Sequence, residues 1–70
     1  MSDAKEIKRI LLEKDISQAE LASKLGISAP NLNAKLKRDK FKTFELRAIA
    51  EALDCDLRIQ YIDKDTNEPI

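Results

Sequence analysis

Asn31 and Asn33, with Ser28 just upstream, are the side chains best suited to recognition in this 70-residue chain. A carboxamide presents a donor and an acceptor side by side. That pattern pairs with N6 and N7 of adenine in the major groove and is worth about 1–3 kcal/mol of discrimination per good pair. A block of cations follows directly: Lys35, Lys37, Arg38, Lys40 and Lys42. Cations in this density suit phosphate, whose neutralisation supplies affinity without regard to base sequence.

Other kinds of chemistry are poorly supplied. There is no His, so the usual general base near neutral pH is missing. One Cys without His excludes the common Cys/His zinc sets, and the single glycine, Gly26, excludes Gly-rich phosphate loops. No basic residue flanks Cys55 to lower its pKa, so it reads as a bystander rather than a reactive thiol. Turnover would have to rest on carboxylates or on Cys55. The expectation is a protein that is no enzyme and carries no cofactor. A lone Cys makes no internal disulfide, which fits a reducing, cytoplasmic setting. The longest strictly apolar run covers only residues 10–12, so neither a membrane span nor a signal-peptide core is expected.

Charge at first argues the other way. Thirteen Lys+Arg balance thirteen Asp+Glu, and a net charge of zero disfavours nucleic acid. The balance conceals polarity, however. Residues 1–34 are neutral, residues 35–47 carry +4 and residues 48–70 carry −4. The positive block begins just past Asn33. Phe41 and Phe44 flank this loop and are expected in the core, which leaves no aromatic platform for single-stranded nucleic acid.

The elements that position these residues are short helices. Leu and Ala are abundant and Val is absent, a mixture that favours helix. A first helix over Asp3–Lys14 places Ile7, Ile10 and Leu11, with Ile16 beyond it, on one stripe, and either Ser2 or Asp3 caps it. A second follows Ser17, which with Glu20 forms a capping-box pattern, and ends at Gly26. A third follows Ser28, with Pro30 in its first turn and Leu32 and Leu36 on one side. Thr43 is the expected cap of a fourth helix over residues 44–53, where Leu46, Ile49, Ala50 and Leu53 form the apolar stripe. The period then changes. Residues 56–61 alternate, with Leu57, Ile59 and Tyr61 on one face, which predicts a strand. A lone strand leaves its backbone unpaired. It is expected to pair with the short tail as a hairpin, with its copy in a second subunit, or with both.

Two short helices joined at Gly26 have helix-turn-helix spacing. The stretch 17–36, SQAELASKLGISAPNLNAKL, resembles the Cro/CI-type (Xre-like) helix-turn-helix family of phage and bacterial repressors. The resemblance rests on Gln18, on Glu20-Leu21-Ala22, on Leu25-Gly26-Ile27-Ser28 and on Leu32. Leu46, Ile49, Ala50 and Leu53 resemble that family's next helix. The similarity spans roughly residues 5 to 54.

The resemblance implies a mainly α, four-to-five-helix lambda-repressor-like DNA-binding domain; this chain departs from it in having the expected C-terminal strand or short hairpin in place of the usual fifth helix, so the family's commonest dimer contact does not carry over. Residues 1–54 would form the helix-turn-helix part. Residues 55–70 would be a tail of the same domain, and the unpaired strand, not the resemblance, makes them a candidate dimerisation element through Leu57, Ile59 and Tyr61. The third helix would enter the major groove. Gln18 would meet a phosphate and brace that helix, and Ala29, Pro30, Asn31, Asn33 and Ala34 would fall on its exposed positions. Ala29 and Pro30 lack the hydrogen-bonding side chains that relatives often place there, which shifts base contact to Ser28, Asn31 and Asn33. Two residues apart on a helix is a turn of about 200°, so the two Asn do not both face the groove. Asn31 is preferred for bases and Asn33 for a flank or phosphate. The implied function is sequence-specific double-stranded DNA binding by a homodimeric transcriptional regulator, repressor-like. The alternative is a protein-interaction module, such as an antitoxin or accessory factor, whose tail binds a partner.

Overall fold

Three of the helices start at a serine in extended backbone that offers its hydroxyl oxygen to the first turn. Ser2 Oγ accepts from the Lys5 amide, Ser17 Oγ from Glu20 and Ser28 Oγ from Asn31. At Ser17 the Glu20 carboxylate returns the bond, completing the box. These bonds satisfy amides that the helix itself leaves without partners. The computed structural model describes residues 2–70 and sets out four helices: α1 (Asp3–Lys14), α2 (Gln18–Leu25), α3 (Ala29–Arg38) and α4 (Thr43–Ala52).

The starting point of α4 differs from the expectation. Thr43 is its first helical residue, and the extended residue before it is Lys42, which has no side-chain acceptor. Glu45 takes over the task from inside the helix, its Oε1 accepting the Lys42 amide at 3.0 Å.

The helix ends are set by left-handed residues. Gly26 ends α2 at φ 72°. Asp15 and Asp39 do the same for α1 and α3, and Asp54 follows α4, at φ 55°, 53° and 55°. Past Gly26 the Ile27 amide returns to the Ala22 carbonyl, as Ile16 returns to Leu11 and Cys55 to Ala50. This is the Schellman closure, which pairs the last carbonyls of a helix. Aspartate tolerates the left-handed region better than most side chains, though less well than glycine.

The core lies between the apolar stripes of all four helices. Ala4, Ile7 and Leu11 of α1, Leu21 and Ala22 of α2, Leu32 and Leu36 of α3, and Ile49 with the following Leu53 are buried. Ile10, Ile16, Leu46 and Phe41 pack around them. Leu32 is fully buried, so the centre of α3 is anchored on the core.

Of the C-terminal expectation, the return of the tail is present and the strand over residues 56–61 is not seen. Among the described residues there is no strand. The chain turns back at residues 63–68 and makes a single antiparallel bridge, Ile62 with Pro69, supported by Asp63 N–H to Glu68 O and Ile70 N–H to Tyr61 O, both at 2.9 Å. The tail is too short and too close to a proline to extend this into a ladder, because proline donates no hydrogen bond. Residues 56–60 make no backbone hydrogen bond among the described residues. No fifth helix is present among them either.

Candidate nucleic-acid interface

The exposed face of α3 follows from its two buried leucines. Leu32 and Leu36 define the inward direction. Successive residues rotate by about 100°, which puts Ala34 almost diametrically outward, with Pro30 and Lys37 beside it. Asn31 lies roughly 120° from the inward direction and Asn33 roughly 80°, on opposite sides. Ala29, Pro30, Asn31, Asn33 and Ala34 are all exposed. Asn31 is therefore turned farther from the core than Asn33, and the outermost strip, Pro30 and Ala34, is small and lets a partner approach the helix closely.

Ser28 is exposed, yet its oxygen is engaged as the α3 cap, accepting the Asn31 amide at 3.2 Å. It holds the first turn in place, which leaves its hydroxyl hydrogen and one lone pair for a partner.

Gln18 opens α2 and is half-buried. It lines a shallow hollow with Lys8, Leu11, Leu12 and Ile16, against α1. No hydrogen bond joins it to α3 among the described residues; the capping box before it orients the start of α2.

The cations come off the end of α3 and the loop behind it. Lys37, Arg38, Lys40 and Lys42 are exposed. Lys35 is not a free cation. Its Nζ lies 2.8 Å from Glu45 Oε2, in a pair that bridges α3 to α4. The Lys35 ammonium, and after it the Lys42 amide, hold the Glu45 carboxyl below the usual carboxylate range. Lys35, Arg38, Lys40 and Lys42 share an open bowl of about 490 Å³ with Glu45 and the two phenylalanines.

The phenylalanines part company. Phe41 is half-buried against the core, as expected. Phe44 is 68% exposed, contrary to expectation, and Lys42 Nζ stands 6.0 Å from its ring centroid. Phe44 is two residues before Leu46 on α4, which turns it to the far side of the apolar stripe. The residue types around the loop gave no signal of this, since an aromatic near an apolar run reads as core.

Between α3 and α1 stands Asp39. It ends α3, and its Oδ1 accepts the Ala4 amide at 2.8 Å. The Ser2 hydroxyl, and then the Ala4 amide, hold its carboxyl below the usual range. Sequence reading missed both Asp39 and Glu45 as organising residues, because each acts across a gap in the chain.

In the tail, Leu57 is half-buried in a cleft with Ile7, Ile10, Leu46 and Leu53, whereas Ile59 and Tyr61 are 55% and 82% exposed. The three residues expected to share a dimer face are thus divided, with one on the core and two in solvent.

Among the described residues no group of three or more His, Cys, Asp or Glu side chains is placed to hold a metal ion. No helix among them is long and apolar enough to cross a membrane. Compared with known families, residues 6–58 match the model of the Cro/C1-type HTH DNA-binding domain. No curated protein and no solved structure matches the chain.

Proposed function

The chain belongs to the Cro/C1-type helix-turn-helix DNA-binding domain family, and from that premise we propose that it is a cytoplasmic, repressor-like transcriptional regulator that reads double-stranded DNA as a homodimer. The observation that carries the reading is the outward face of α3. Asn31 is exposed on a helix whose other side is locked by Leu32 and Leu36, and four exposed cations follow it immediately. Base edges would meet Asn31, and phosphates would meet Lys37, Arg38, Lys40 and Lys42. Catalysis plays no part in this reading.

Dimerisation is supported by the tail. Residues 56–60 have an unpaired backbone, and Ile59 and Tyr61 are apolar and exposed. Antiparallel pairing with the same segment of a second copy would satisfy both needs. Two reading helices would then address half-sites about 34 Å apart on an inverted repeat.

A salt titration of affinity for a duplex selected from random sequences tests the function. A dimer making about eight phosphate contacts has an expected log–log slope near −7. No binding to any duplex at low salt would overturn the proposal.

The same exposed tail favours a second reading, in which Ile59 and Tyr61 hold a protein partner and DNA contact is secondary. The pair Ile59→Asp and Tyr61→Asp separates the two. Loss of the dimer in sedimentation, with weaker DNA binding, supports the first reading. An intact dimer that binds DNA as before, with loss of a partner that the unaltered chain captures in a pull-down, supports the second.

A further inference from the structure

Glu45 joins three pieces of the candidate interface through one carboxylate. Its Oε2 accepts from Lys35 on α3, its Oε1 accepts from the Lys42 amide in the basic loop, and its own backbone belongs to α4. Of the three ion pairs among the described residues, this is the one that links two helices; the other two, Arg9 with Glu6 and with Glu13, lie along α1. It is also the most sheltered, with side-chain exposures of 31% for Lys35 and 20% for Glu45, against 44% or more in the α1 pairs. Glu45 is the single carboxylate in the bowl, which it shares with Lys35, Arg38, Lys40 and Lys42.

Resting on the DNA-binding reading, we infer that Glu45 is a positioning residue that withholds Lys35 from DNA phosphates and so limits sequence-independent affinity. The Lys42 amide fixes the carboxylate in place before any ligand arrives, so holding Lys35 needs little further ordering of Glu45. A phosphate that recruited Lys35 would have to break a sheltered pair and leave the Glu45 charge beside the DNA backbone. Lys37, Arg38, Lys40 and Lys42 carry no such partner among the described residues and remain available. Specificity is the ratio of specific to non-specific affinity, so suppressing one phosphate contact raises that ratio without altering the Asn31 face.

The test is a salt titration of binding to a mixed-sequence duplex by the full chain, its Glu45→Gln and Lys35→Met variants and the double variant. Glutamine retains an oxygen for the Lys42 amide and removes the charge. Released Lys35 should steepen the log–log slope by about 0.9 per protomer and raise non-specific affinity by up to about eightfold per added contact at 0.1 M salt. In the Lys35→Met background the same change at Glu45 should leave the slope where it was. A lost brace alone would alter thermal stability and not the slope. A wild-type slope in Glu45→Gln, or an equal steepening with and without Lys35, overturns the inference while leaving DNA binding intact. A wild-type chain that binds no duplex overturns the functional reading itself.

Discussion

The Asp39 carboxylate accepts the Ala4 amide at 2.8 Å, so the residue that ends the third helix also caps the first. This contact spans 35 residues of chain. It fixes the end of α3 from which Lys37 and Arg38 project, while the Lys35–Glu45 pair fixes the same helix to α4. Helix α3 is thus held by buried leucines along its length and by two carboxylates at its C-terminal half.

Both carboxylates titrate below the usual range in the fold, Asp39 through the Ser2 hydroxyl and the Ala4 amide, Glu45 through Lys35 and the Lys42 amide. As the pH falls the unfolded chain binds protons first. Their stabilisation is therefore complete about one pH unit above the unfolded carboxylate values, which lie at about 4, and is lost as the pH drops through the lower folded values. The melting temperature should be level from about pH 7 to pH 5 and fall below about pH 4. Asp39→Asn retains an oxygen acceptor and a tolerance for positive φ, and should make the acid limb shallower. An identical acid limb in Asp39→Asn would show that this carboxylate does not contribute.

Gly26→Ala should destabilise the fold by about 1 kcal/mol, read as a lowered urea midpoint at unchanged slope. A Cβ at Gly26 meets nothing within 4 Å, so no clash contributes. The whole cost is the left-handed backbone at φ 72°. Gly26→Asn should cost less, since Asn visits that region more readily. Equal losses for Ala and Asn would point to a packing effect instead.

Gly26 was legible in the sequence, as were the Ser17–Glu20 box, Pro30 in the first turn of α3 and the leucine stripe, because each is a local pattern with one strong physical reading. The left-handed aspartates were not. Aspartate occupies that region only occasionally, and nothing near Asp39 in sequence announces Ala4. The same holds for Lys35, which looks like one more member of a cationic run until Glu45, ten residues on, lies against it. The strand expected over residues 56–61 is not seen for a related reason. Alternation at residues 56–61 reports a segment suited to pairing, and pairing depends on a partner strand that the described residues do not provide.

Asn31→Ala and Lys37→Ala should behave differently. Asn31 stands at the edge of the outward face, and its loss should erase about 1–3 kcal/mol of preference at one base position while sparing affinity for random duplex. Lys37 lies on the other flank, and its loss should weaken all duplexes alike and make the salt slope shallower by about 0.9 per protomer. Competition binding against singly altered sites measures both. Should Asn31→Ala keep the full preference, base reading belongs to another residue of α3.

The acidic tail offers the complementary experiment. Residues 48–70 carry a net charge of −4, and the turn at residues 63–68 exposes Asp65 and Glu68, with Asp63 half-buried. Asp63 Oδ1 accepts the Asp65 amide at 2.8 Å, so Asp63→Asn preserves the turn while removing charge. With Asp65→Asn and Glu68→Gln added, the tail no longer opposes a polyanion. If its role is to keep this end of the molecule away from phosphate, the triple variant should bind mixed-sequence duplex more tightly, most clearly at low salt where screening is weak. The gain should shrink as salt rises, because a repulsion removed at long range is screened within about 10 Å at 0.1 M. A non-specific affinity that stays at the wild-type value in low salt would refute that role and leave the tail charge without a part in DNA discrimination.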